Sequence, residues 1–255
     1  VLVDDLAEGE TTLIGPEAHH LRDVLRVRPG AAVEAFDGRG NVAQGEVLGL
    51  DRHAVTVRLG APAPSASEAR LRVTLAVALL KGDKLSDVVR PATELGVAAF
   101  QLLTTRNVDV PVLAPAKIAR LQRVAAEATR QCGRAAVPEV HAPTPLADLT
   151  WRGVCLVGDP DATASLADVA TVHGWGGLGR GSGTATKRNV AVEPTSERDE
   201  NHVTLVTGPE GGLEPDETAA LIERGAVAVR FGPRVLRAQT APVAFAAALL
   251  LWDGG

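Results

Sequence analysis

Val203-Thr204-Leu205-Val206-Thr207-Gly208-Pro209-Glu210-Gly211-Gly212-Leu213 reads as a short apolar strand running into a glycine-rich loop. The pattern recurs downstream: Ala226 to Val229 leads into Phe231-Gly232-Pro233-Arg234-Val235-Leu236-Arg237. A helix start follows each loop. Pro215, Asp216 and Glu217 put a proline in a first turn and acids at the positive dipole end, and Thr240 and Pro242 open the last helix. Ligands of open α/β sheets bind at the carboxyl ends of strands. Two such loops side by side therefore predict a backbone-lined pocket.

Upstream, strands and helices alternate. Leu71–Leu80 and Val97–Leu103 read as strands, with a helix over Asp83–Leu95 closed by Gly96. Pro91 is expected to kink or split that helix, because it removes a backbone bond. Pro115–Cys132 is the strongest helix, with Ile118, Leu121, Ala125, Ala128 and Cys132 spaced at three and four. Val154–Val157 and Ala164–Ala170 add a strand and a helix. Repeated β–α units predict an α/β fold with a mainly parallel sheet covered on both faces. Residues 174–201 are rich in Gly, Ser, Thr and charge without periodicity, and read as a flexible insertion.

Before residue 60 the pattern is different. Val33–Phe36, Val42–Leu48 and Ala54–Leu59 are short strands around the turn cluster Asp37-Gly38-Arg39-Gly40-Asn41, which suggests a small β-barrel. One helix precedes them and is expected to run to Pro29-Gly30. Ala61-Pro62-Ala63-Pro64-Ser65-Ala66-Ser67 reads as a linker. The expected domains are residues 1–66 and 67–255.

Composition narrows the function classes. The formal charge is −5, which argues against a uniformly basic coat but not against local patches. From Lys117 to Arg134 there are five basic residues and one acid, and Arg22, Arg26 and Arg28 face only Asp23. Two cysteines, Cys132 and Cys155, make neither a disulfide framework nor a metal motif, and both are expected in the core. No apolar run reaches the ~18 residues of a membrane span. The expectation is a cytoplasmic protein without metal.

The loops are neither a dinucleotide fingerprint, which needs G-x-G-x-x-G, nor a P-loop, which needs Gly-Lys-Ser/Thr. A plain strand-to-helix turn is the alternative reading. Arg237 at a strand-end loop suits an anion-facing role as well as a surface ion pair. Glu210 suits a helix-dipole partner or a polar ligand contact.

Several segments in order carry a resemblance: Lys81-Gly82-Asp83-Lys84, Ala92-Thr93-Glu94-Leu95-Gly96-Val97, Gln131-Cys132-Gly133-Arg134, Gly208-Pro209-Glu210-Gly211-Gly212 and Gly232-Pro233-Arg234-Val235-Leu236-Arg237. With His20–Arg26, Arg28-Pro29-Gly30 and Phe36-Asp37-Gly38, they resemble the bacterial small-subunit ribosomal RNA (uracil-N3)-methyltransferases of the SPOUT superfamily. The resemblance implies a PUA-like β-barrel followed by an α/β domain with a trefoil knot. It also implies S-adenosylmethionine in the loop pocket, a homodimer, and small-subunit ribosomal RNA as substrate, within the assembled 30S particle.

On this basis Gly208, Pro209, Gly211, Gly212, Phe231, Gly232, Pro233 and Leu236 are the expected cofactor contacts. Arg237 would orient or stabilise the uracil, with Glu210 or solvent taking the proton. Arg22, Arg26, Arg28, Lys81, Lys84, Arg134 and Arg234 are the expected RNA contacts. The chain departs from the family at Ala238-Gln239, where Thr-Glu is usual, at Pro91, and in the 174–201 segment. Methylation of a ribose 2′-oxygen or another base, and a non-catalytic assembly factor, are the competing readings.

Overall fold

The computed structural model describes residues 1–109, 112–173, 175 and 201–252. The chain divides into two compact units, Val1–Glu68 with Thr129–Val137 and Ala69–Ala128 with Pro138–Gly255. Apart from Trp175 and Asn201, the expected 174–201 insertion lies outside the described residues.

In the first unit, β1 (Gly9–Ile14), β2 (Ala32–Phe36), β3 (Asn41–Leu50), β4 (Ala54–Leu59) and β5 (Ala63–Pro64) form an antiparallel sheet. Its order is β1-β4-β3-β2, with β5 on β3. Alternation puts Val55, Val57 and Leu59 on the core side with Val33, Ala35, Ala43 and Val47. Helix α1 (Gly15–His19) continues as a wider π-turn over His20–Val24.

That helix stops earlier than its sequence pattern suggests. Arg26 takes a left-handed φ of 52°, and Val27 N–H bonds back to Leu21 O at 3.0 Å. The reversal therefore falls at Arg26, before Pro29-Gly30. The segment 129–137 joins this unit through Gly40 N–H to Ala135 O (3.2 Å) and Val137 N–H to Gly38 O (2.9 Å).

The second unit is a six-stranded parallel sheet built from β6 (Arg72–Ala78), β7 (Ala99–Thr104), β8 (Glu139–Pro145), β9 (Val154–Gly158), β10 (His202–Thr207) and β11 (Val227–Val229). Helices α2 (Lys84–Glu94), α3 (Pro115–Cys132), α4 (Leu166–Val172), α5 (Pro215–Glu223) and α6 (Thr240–Trp252) connect or follow the strands. Val73, Leu75, Ala76 and Val77 of β6 are all fully buried, as expected where both faces are covered. The expected kink at Pro91 does not split α2, which runs unbroken to Glu94 and closes with Gly96 at φ +105°.

Sheet order decides where the site lies. It runs β11-β9-β10-β6-β7-β8. The two glycine loops therefore leave strands on either side of β9, and the loop after β9 lies between them. Cys155 is buried in β9, where burial pushes its thiol up to about 12. Cys132, expected in the core, is exposed at the end of α3. Among the described residues no helix is long and apolar enough to cross a membrane, and no group of three metal-ligating side chains comes together.

Candidate functional site

The loops after β9, β10 and β11 line an open cavity of about 940 Å³. In the first glycine loop, Gly212 N–H donates to Pro209 O at 2.9 Å, and Gly212 has φ +76°. Only glycine takes that conformation cheaply. A Cβ on Gly208 would come within 3.0 Å of the Leu213 nitrogen, so glycine there lets the loop close on itself. In the second loop Gly232 has φ +73°, and Arg237 O accepts from Thr240 N–H (2.8 Å) and Ala241 N–H (2.9 Å). The carbonyl of Arg237 thus anchors the first turn of α6. Phe231 packs on Phe245 with ring centroids 4.9 Å apart, flooring this side.

Of the expected cofactor contacts, Gly208, Pro209, Gly211, Gly212, Phe231, Gly232 and Leu236 line the cavity, and Pro233 does not. Sequence reasoning missed the third wall, Gly158-Asp159-Pro160-Asp161. Asp159 N–H donates to Val229 O at 3.0 Å, tying this loop to β11, and Asp159 Oδ1 accepts from Asp161 N–H at 2.9 Å. The signal was present in the sequence, since Gly158-Asp159-Pro160 also follows a short apolar strand. With one glycine, this loop carries a weaker local signal than the other two.

Charge at the site falls into two sets. Arg234 and Arg237 are exposed on the second loop, and among the described residues neither has an ion-pair partner. Glu210 on the first loop accepts from Lys84 Nζ at 2.8 Å and from Lys81 N–H at 3.2 Å. Burial pushes the Glu210 carboxyl up, but the Lys84 bond and nearby N–H groups outweigh it, so its pKa is lowered. Lys84 lines the cavity, whereas Lys81 Nζ pairs with Asp109 at 2.9 Å.

The expected RNA contacts separate likewise. Arg26 and Arg28 are exposed, while Arg22 is half-buried and held by Asp23 and the carbonyl of Arg52. Arg134 requires a correction. Its side chain is only 5% exposed, and its guanidinium donates to Glu68 at 2.7 and 3.2 Å. It is a buried structural ion pair in the first unit, so it cannot present its charge to RNA.

Comparison with known proteins places the chain. Residues 67–250 match the family described as RNA methyltransferase domain, and residues 13–60 match the RNA methyltransferase PUA domain. The chain therefore belongs to the RNA methyltransferases that pair these two domains.

Within that class it belongs to the family of ribosomal RNA small subunit methyltransferase E. It is 32% identical to the Synechocystis protein of that name over 95% of this chain and 73% of the relative. The Mycobacterium bovis protein is 33% identical over 89% of this chain and 80% of its own. Among solved structures, ribosomal RNA small subunit methyltransferase E from Neisseria gonorrhoeae bound to S-adenosyl methionine shares the fold. Its TM-score is 0.77 at 24% identity, covering 98% of this chain and 96% of that one.

Proposed function

We propose that this protein transfers a methyl group from S-adenosylmethionine to N3 of a uracil in small-subunit ribosomal RNA. The observation that carries this reading is the cavity itself. Three strand-end loops surround it, glycine backbone lines it, and Arg237, which has no ion-pair partner among the described residues, stands on its wall. Its residues fit the donor: polar backbone and two carboxylates, Asp159 and Asp161, suit ribose hydroxyls and a sulfonium charge, while Phe231, Phe245 and Leu236 suit the adenine ring.

When bound, S-adenosylmethionine supplies an activated methyl group on sulfur. The chain's own residues align and stabilise. Uracil N3 carries a proton at neutral pH and lies on the pairing edge, so the base must be unpaired or extruded to reach the cavity. Methyl transfer places the methyl on N3, releases the N3 proton and leaves a thioether. Arg237 faces the anion that the base becomes, and its fixed charge lowers the cost of that anion. A carboxylate held low by Lys84 is a poor acceptor for this proton, which favours solvent and assigns Glu210 to holding its loop. Arg26, Arg28 and Arg234 are the RNA-backbone contacts in this reading.

The reading extends to a homodimer acting on the assembled small-subunit particle in the cytoplasm, and to a trefoil knot in the second unit. In support of the knot, the chain leaves β10, steps past β9 to form β11, and returns to α6 beside β10.

Transfer of labelled methyl onto small-subunit particles and naked RNA, followed by nucleoside analysis, tests the reaction. 3-Methyluridine is the expected product. A 2′-O-methylated nucleoside, another methylated base, or donor binding without transfer would overturn it.

A further inference from the structure

The first glycine loop is held from behind by a residue that does not line the cavity. Asn107, in the turn after β7, directs its amide nitrogen at three oxygens: Glu214 Oε1 at 2.8 Å, Gly211 O at 3.3 Å and Gly212 O at 3.3 Å. The fit is tight, since a Cβ on Gly211 would meet Asn107 Cβ at 3.0 Å. The neighbouring Arg106 N–H donates to Glu217 Oε1 at 2.9 Å, and Glu214 N–H donates to Glu217 Oε2 at 2.9 Å. Residues 106 and 107 thus grip both the loop and the first turn of α5.

The consequence lies in the Gly212–Leu213 peptide. The described peptides are trans, so a carbonyl and the N–H of the next residue point in opposite directions. Asn107 draws Gly212 O toward itself, behind the loop. Leu213 N–H then points away from Asn107. Leu213 lines the cavity, and its N–H has no acceptor among the described residues. Leu213 is half-buried on the cavity wall, and a backbone donor there that no protein group satisfies is available to an acceptor on a bound ligand.

We propose that Asn107 is a positioning residue for the methyl donor: by holding the Gly211 and Gly212 carbonyls behind the loop, it presents Leu213 N–H to an acceptor atom of the bound donor. The proposal rests on the cavity being the S-adenosylmethionine site.

Titration calorimetry and steady-state methyl transfer with the full chain test it. Asn107→Ala raises the donor dissociation constant and donor KM together by about tenfold, leaves kcat within about twofold, and leaves RNA KM unchanged. Asn107→Asp discriminates further, because its carboxylate would face Glu214 and two carbonyl oxygens. It binds donor more weakly than Asn107→Ala at neutral pH. It recovers, relative to wild type, as pH falls toward about 5.5, where the protonated acid again donates. A residue acting only through stability recovers its melting temperature over that range but leaves the donor dissociation constant of the folded protein at the wild-type value throughout.

Wild-type donor affinity in Asn107→Ala, or no pH recovery in Asn107→Asp, overturns the positioning role while leaving the cavity assignment intact. Absence of donor binding by the wild-type protein overturns both.

Discussion

Arg237 and Gly212 line one cavity, and the proposed reading gives them different tasks, chemistry for Arg237 and donor binding for Gly212. Arg237→Ala removes an exposed side chain while its backbone carbonyl still anchors α6, so donor affinity stays within about twofold and kcat falls by about 10²-fold. Steady-state kinetics beside donor titration reads both numbers. Gly212→Val puts a β-branched side chain at φ +76° on the cavity wall, and S-adenosylmethionine binding is expected to be lost. Calorimetry checks that loss. Arg134 belongs to stability rather than recognition. Burial pushes the Glu68 carboxyl up, but the Arg134 bond and charge and the N–H groups of Ala135 and Ala136 outweigh it, so its folded pKa is lowered. A carboxyl depressed on folding stabilises the fold above its unfolded pKa, and that contribution is lost as pH falls through the folded value. Melting temperature should therefore drop below the ordinary carboxylate range, and Glu68→Gln should flatten that part of the profile. Arg134→Ala costs about 3 kcal/mol by chemical denaturation, because it leaves a partly buried carboxylate unpaired.

Helix ends show where sequence reading succeeds and where it stops. The bounds of α3 are legible because Pro115 and the three-and-four apolar spacing agree on them, and Pro215 with its acids marks α5 equally well. Strand β8 escapes notice because Pro143 and Pro145 argue against a strand, yet proline is tolerated on an edge, and β8 is the edge of its sheet. The end of the π-turn is hidden for a different reason. Composition points to Pro29-Gly30, but the chain reverses at Arg26, a residue type that seldom takes φ 52°. A strained residue suggests a use for its side chain, and the two can be separated. Arg26→Gly relieves about 1 kcal/mol of backbone strain and so raises the melting temperature. The same change removes a charge from an exposed basic turn. RNA binding weakens, and the slope of log affinity against log salt falls by about 1. A melting curve and a salt titration on one variant check both directions.

At the scale of the molecule, the linker at 61–67 falls where the two matched domains meet, residues 13–60 and 67–250, but it does not mark everything that belongs to the first unit. Composition changes there, yet the first unit also includes Thr129–Val137, more than sixty residues downstream. That segment is bound in by Glu68 Oε1, which accepts from Ala135 N–H (3.0 Å) and Ala136 N–H (2.9 Å), and by the turn at Gly38 and Gly40. Sequence periodicity could not show this, because the pairing joins a loop to a turn and leaves no repeat. The cavity was legible in part for a related reason: a glycine loop announces itself locally, but its neighbours are set by strand order, and order is a long-range property. The expectation for truncation follows. A chain begun at residue 69 keeps all three cavity loops but strips the cover from Thr129 and Ala135, both fully buried, and removes Glu68 from Arg134. It should lose the stability of the 129–137 segment, bind a dye for exposed apolar surface, and unfold less cooperatively than the full chain. Adding Arg134→Met should partly restore it, since that removes a buried guanidinium whose Glu68 partner is gone while keeping apolar volume. Calorimetric unfolding with dye binding decides the matter: a truncated chain that melts as sharply and as high as the full chain would show that the 129–137 segment does not depend on residues 1–68.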